Sequence, residues 1–128
     1  MHAIDSNVLV RLLVGDDARQ AAAAEAFIEN GAGGWISHLV LAECVWVLES
    51  VYSRTRAQIG AAIETMLDHS LLTLQDGEVV AAALSRFKHH RAVGFSDCLV
   101  LEIARQAGHL PLATFDKRLA ALDGAKRL

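Results

Sequence analysis

The chain has 128 residues, 53% of them hydrophobic and 21% charged, and a formal net charge of −3. Residues 1–128 suit a single domain that buries roughly 65–70% of the surface its unfolded chain would expose, and the composition excludes a disordered segment. No apolar run reaches the roughly 18–20 residues of a membrane span and no basic-then-apolar leader opens the chain, so a soluble cytoplasmic protein without a membrane partner is expected.

Helical signals alternate with short β-like runs. His2-Ala3-Ile4 reads as a first strand, after which Asp5 or Ser6 can cap a helix reaching Leu13. Asp16 or Asp17 caps a second helix, whose alanine-rich body (Ala21 to Ala24) ends before Gly31 and needs no functional reading, because alanine is the best helix former. Gly33-Gly34 is a turn and Trp35-Ile36-Ser37 a second strand. Residues 38–52 are apolar nearly all round, the pattern of a helix packed on several sides. Residues 54–69 place Ile59, Ile63, Met66 and Leu67 on one helical stripe, and Leu71-Leu72-Thr73-Leu74 forms a third strand. A helix from Asp76 or Gly77 turns Val79, Val80, Ala83, Leu84 and Phe87 inward. Ser96 begins another, closed by Gly108. Leu112-Ala113-Thr114-Phe115 is a fourth strand, and a short helix and an edge strand over residues 125–128 complete the chain. Strands separated by helices predict an α/β fold, a three-layer α/β/α sandwich around a central, mainly parallel sheet of four or five strands. Cys44 and Cys98 lie in apolar helical stretches without metal-finger spacing, which predicts reduced core thiols.

Four carboxylates interrupt otherwise apolar runs. Asp5 stands alone between Met1 and Arg11, Glu43 within residues 39–48, Asp97 within residues 92–101, and Asp116 at the end of Leu112-Ala113-Thr114-Phe115. Such runs are normally interior, where an ionised carboxylate costs several kcal/mol unless something positive meets it. No Lys or Arg is equally embedded, so convergence on a bound cation is the economical account. Asp5 and Asp116 follow strands, while Glu43 and Asp97 are placed in the first turns of helices. All four can therefore reach the rim beyond the carboxyl ends of the strands, where ligands of parallel sheets bind. Hard oxygen donors, with no His or Cys at zinc spacing, favour Mg²⁺ or Mn²⁺. Taken singly, Asp5 or Asp116 reads equally well as a helix cap; Glu43, within a helix among Leu, Val and Trp, does not. Setting the four aside leaves eleven acids against twelve bases, a balance of +1, so net charge does not exclude a nucleic-acid substrate.

The order Asp5-Ser6-Asn7, then Ser37 and Glu43, then Ser96-Asp97, then Thr114-Phe115-Asp116-Lys117 resembles the PIN-domain ribonucleases, most closely the VapC-type toxins of toxin–antitoxin pairs, over essentially the whole chain. That resemblance implies a metal-dependent endoribonuclease whose catalytic, metal-binding quartet is Asp5, Glu43, Asp97 and Asp116, with one or two Mg²⁺ or Mn²⁺ ions. It also implies single-stranded or structured RNA as substrate, a homodimer, and inhibition by a small cognate antitoxin protein. Asn7 and Thr114 match positions that orient the acids or a metal-bound water, and Ser37 and Ser96 would be hydrogen-bonding supports. A PIN fold that binds RNA or protein without cutting is the alternative.

Basic residues offer further RNA contacts, each beside a plainer reading. Arg86, Lys88 and Arg91 suit phosphates but equally complement a helix C-terminus. Arg11 can touch RNA or pair with Asp16, and Lys117 beside Asp116 can reach a phosphate or belong to a solvated face. Trp35, Trp46 and Tyr52 are too scattered for a stacking platform and read as core or dimer contacts. A phosphotransferase of the haloacid-dehalogenase type would need a second acid where Asn7 stands.

Overall fold

Four of the six helices start where a short polar side chain catches their free amide groups. In the computed structural model, which describes residues 1–128, Asp5 accepts from the Ser6 amide at the head of α1 (Ser6–Val14). Asp17 accepts from the Gln20 amide ahead of α2 (Ala18–Asn30), and Ser37 from that of Val40 ahead of α3 (His38–Ser50). Thr55 and Gln58 close a reciprocal capping box on α4 (Arg56–Asp68). In α5 (Gly77–His89) Glu78 places negative charge in the first turn, and α6 (Phe95–Ala107), which has no side-chain cap, has Asp97 there. Gly108 ends α6 in a left-handed conformation, φ 80°, with its amide returned to the Ala104 and Arg105 carbonyls.

The strands are short: β1 (His2–Ala3), β2 (Gly34–Ile36), β3 (Leu72–Leu74), β4 (Leu112–Thr114) and β5 (Ala125–Arg127). All pairings are parallel, as strands joined through helices require. The α/β class is thus the expected one, and the five strands hydrogen-bond as a set of three, β1-β2-β3, and a pair, β4-β5, rather than as one continuous ladder. Gly34 pairs with His2 on one side and Leu72 on the other. A Cβ there would lie 3.2–3.3 Å from Ile28 and Ile4 side chains, so glycine lets this strand close against its own core.

The chain forms two compact units, Met1–Gly77 and Glu78–Leu128. In the first, α1 packs against α2 and α3, and β3 against α4. Leu9, Ile36, Leu41, Cys44, Ile59, Ile63 and Met66 are almost fully buried there. The second gathers Val80, Ala83, Phe87, Phe95, Cys98 and Leu101, with Phe87 and Phe95 edge to face at 5.9 Å between ring centres. Its one buried charged side chain is Glu102, 4% exposed, which accepts from Arg86 Nε at 3.3 Å and Arg105 Nε at 2.8 Å. Arg105 also donates to the Asp123 carbonyl at 2.6 Å, and a Cβ at Gly124 would collide with the Arg105 guanidinium.

Both cysteines are buried and neither forms a disulfide, as their apolar settings predict. Burial pushes the Cys44 thiol up to about 12, so almost no thiolate exists near neutral pH. Iodoacetamide is therefore expected to leave Cys44 unmodified in the folded protein and to alkylate it in urea. Mass spectrometry distinguishes the two, and rapid native alkylation at Cys44 would contradict its burial.

Candidate functional site

The first unit brings two of the four acids together. Asp5 ends the β1 connection and begins α1; Glu43 lies in the second turn of α3, which packs against α1. Between them stands Ser6, whose hydroxyl donates to Glu43 Oε2 at 3.1 Å and lies 3.5 Å from Asp5 Oδ1. Asp5 Oδ1 also takes the Ser6 amide at 2.7 Å. One oxygen of each carboxylate is thus anchored, while Asp5 Oδ2 and Glu43 Oε1 carry no hydrogen bond. Ser6 is the residue that sequence reasoning missed; its place inside Asp5-Ser6-Asn7 was the only signal. Ser6→Ala is expected to leave the fold intact, release Glu43, and weaken divalent-cation affinity roughly 10–100-fold, the usual effect of losing a group that orients a ligand. Calorimetric titration with Mn²⁺ checks this, and unchanged affinity would deny Ser6 that role.

Asp97 and Asp116 form the second pair. Asp97 sits in the first turn of α6, half-buried, with no hydrogen bond to its carboxylate. Burial, and then the neighbouring charge of Asp116, raise its pKa above the ordinary carboxylate value. Asp116 follows β4, where its Oδ1 accepts the amides of Arg118 at 2.8 Å and Leu119 at 3.1 Å. Its own amide donates to Thr114 Oγ at 3.0 Å, so Thr114 fixes the turn that carries it. Asp116 Oδ2 carries no hydrogen bond either.

The environment of these acids differs from what their apolar neighbours imply. Asp5, Glu43 and Asp116 are exposed and Asp97 is half-buried; the buried carboxylate is Glu102, which has its own arginines. Helix geometry explains Glu43, because α3 is not buried all round: Leu39 and Trp46, on either side of Glu43 in sequence, are 70% and 67% exposed. The acids are accordingly tolerated through hydration and local hydrogen bonds, and their apolar runs report neighbouring core rather than their own burial. Asp5 does serve as a helix cap, whereas Asp116 closes its own turn by accepting the Arg118 and Leu119 amides.

Among the supporting residues, Asn7 is exposed and lines, with Asp5, Val8, Arg11, Gln20 and Phe27, a cleft of about 590 Å³ in the first unit. Ser37 spends its hydroxyl on the cap of α3 and touches no acid. Ser96 is exposed without a hydrogen-bond partner. Of the cations, Arg11 is occupied by Gln20, Asp16 and Tyr52, and Arg86 by Glu102, so the plainer reading holds for Arg11 and a buried ion pair accounts for Arg86. Lys88, Arg91 and Lys117 are exposed.

Within each pair the acids offer donors that suit Mg²⁺ or Mn²⁺: all oxygen, each with uncommitted ligand capacity, and at Asp97 an ionised form that nothing positive meets. No three His, Cys, Asp or Glu side chains form a ready-made metal cage, and the acids appear as two pairs. No helix is long and apolar enough to cross a membrane.

A VapC ribonuclease of Aquifex aeolicus (strain VF5) is similar to this chain, 25% identical over 125 residues that span 95% of the chain and 92% of that protein. The PIN domain family matches residues 3–125, from β1 through the first residue of β5. With that match running through all four acid positions, the chain belongs to the PIN domain family.

Proposed function

We propose that this protein is a metal-dependent endoribonuclease, acting as the toxin of a toxin–antitoxin pair in the cytoplasm. In this reading residues 1–128 work as one PIN domain, and Asp5, Glu43, Asp97 and Asp116 are the ligands of Mg²⁺ or Mn²⁺. The observation that carries it is the arrangement of the acids in two pairs, each acid keeping a free oxygen, in a chain of this family. Similarity to a VapC ribonuclease supports RNA as the substrate and a small antitoxin as partner. The exposed Leu39 and Trp46, seven residues apart on α3, support a homodimer.

A divalent ion bound there supplies positive charge that polarises the phosphodiester and eases deprotonation of an attacking water. The chain's own part is orientation. Ser6 orients Glu43 through its hydroxyl and Asp5 through its amide, Thr114 and the Arg118 and Leu119 amides hold Asp116, and Asn7 offers a free amide beside Asp5. No serine need act as a nucleophile.

The local hydrogen bonds that occupy one oxygen each of Asp5 and Asp116 favour a second reading, in which the fold binds RNA without cutting it. Purified protein incubated with total RNA separates the two. Discrete fragments with Mg²⁺ or Mn²⁺ that vanish with EDTA are expected; intact RNA under every metal condition would reject the nuclease.

A further inference from the structure

Phe115 is 80% exposed, more than any other large hydrophobic side chain of the chain. Single exposed apolar residues are common and need no function, but this one is held out by its surroundings. Thr114 before it is pinned in β4, where its carbonyl accepts the Leu128 amide at 3.0 Å. Asp116 after it is locked from both sides, its amide on Thr114 Oγ and its carboxylate on the Arg118 and Leu119 amides. Leu119, 5% exposed, anchors the far end of the turn. The turn is tied down on both sides of Phe115 by these hydrogen bonds, and its geometry leaves the ring in water. Lys117 and Arg118 follow, exposed and without ion-pair partners.

We propose that Phe115 is a stacking platform for an unpaired nucleobase of RNA next to the phosphate that is cut. This rests on the nuclease reading of Asp116, one residue away. A flat apolar ring on a fixed backbone loses little entropy on stacking, and adjacent cations can take the flanking phosphates. Every base has a π-face, so the contact selects unpaired bases rather than a particular sequence. A duplex, whose bases stack on one another, offers the ring nothing.

The test uses a labelled, mixed-sequence 12-nucleotide single strand, the same strand with abasic sites, and its duplex, binding measured by anisotropy in EDTA. Phe115→Ala is expected to weaken single-strand binding roughly 5- to 150-fold, the range of one base–aromatic stack. Phe115→Trp should keep it and Phe115→Leu should not restore it, while melting temperatures stay unchanged. Neither the abasic strand nor the duplex should distinguish Phe115→Ala from wild type. With Mg²⁺ and the intact strand, KM should rise while kcat holds. Equal single-strand affinity of Phe115→Ala and wild type, or an equal loss on the abasic strand, would overturn the stacking contact while leaving the nuclease standing, provided that wild type cleaves. Wild type that neither binds nor cleaves RNA would remove both.

Discussion

Replacing Asp97 by Asn is expected to lower RNA cleavage at least about a hundredfold, as loss of a metal ligand does, while the metal-free protein melts at an equal or higher temperature. Asp97 makes no hydrogen bond that the amide would lose. Its raised pKa, set by burial and then by Asp116, means that ionisation opposes folding. The favourable contribution of the neutral form is complete below the ordinary carboxylate value, near 3.9, and fades as pH rises through the elevated folded value. Near neutrality the ionised wild type is therefore the less stable protein. Asn removes the charge at every pH, so its melting advantage should be present near neutral pH and disappear in acid. Saturating Mg²⁺ should invert the order, stabilising wild type more than the variant. A structural acid would do the opposite: Asn would destabilise the protein and leave cleavage near its starting rate. Thermal melts across pH, with and without Mg²⁺, alongside cleavage rates, decide between these.

The largest stability effect is expected at Glu102. Glu102→Ala removes a carboxylate that is 4% exposed and leaves Arg86 and Arg105 facing the gap. Breaking a buried ion pair typically costs 3–5 kcal/mol, but both arginines are about one-third exposed and can recover water. We therefore expect about 2–3 kcal/mol, between that range and the worth of hydrogen bonds to charged groups. Arg86→Ala should cost less, because Glu102 keeps its shorter bond to Arg105. The network joins α5, α6 and, through the Asp123 carbonyl, the turn before β5, so its loss should loosen the β4–β5 pair. Urea denaturation measures the change; a shift within about 0.5 kcal/mol of wild type, the scatter of ordinary surface substitutions, would show that the triad contributes no net stability.

Element order was legible because the punctuation is local. Asp5 and Asp17, read as candidate caps, cap the helices they precede, and Gly108 stops α6 in the one conformation that favours glycine; Ser37, read into the second strand, and Thr55, read inside a helix, are caps as well. Boundaries moved by a residue or two: α3 ends at Ser50, and β4 stops at Thr114, leaving Phe115 outside it. The four candidate acids were picked out by their order along the chain; their exposure was not legible there. An apolar run tells which neighbours are buried, but a helix turns by 100° per residue, so Glu43 faces solvent while Cys44 and Val45 are core. Long-range partners were equally hidden. Glu102 with Arg105 three residues on looks like a surface pair, and only Arg86, sixteen positions away, completes the buried site. Arg11 meets Tyr52 across forty-one positions. Such pairings are set by tertiary packing, which no local pattern encodes.

Crystals of the protein soaked in Mn²⁺, with anomalous scattering recorded at the manganese edge, test the central claim most directly. One or two peaks ligated by oxygens of Asp5, Glu43, Asp97 and Asp116, and lost in the Asp97→Asn variant, are the predicted result. No peak at these residues, or manganese held by one acid pair while the other points elsewhere, would contradict it.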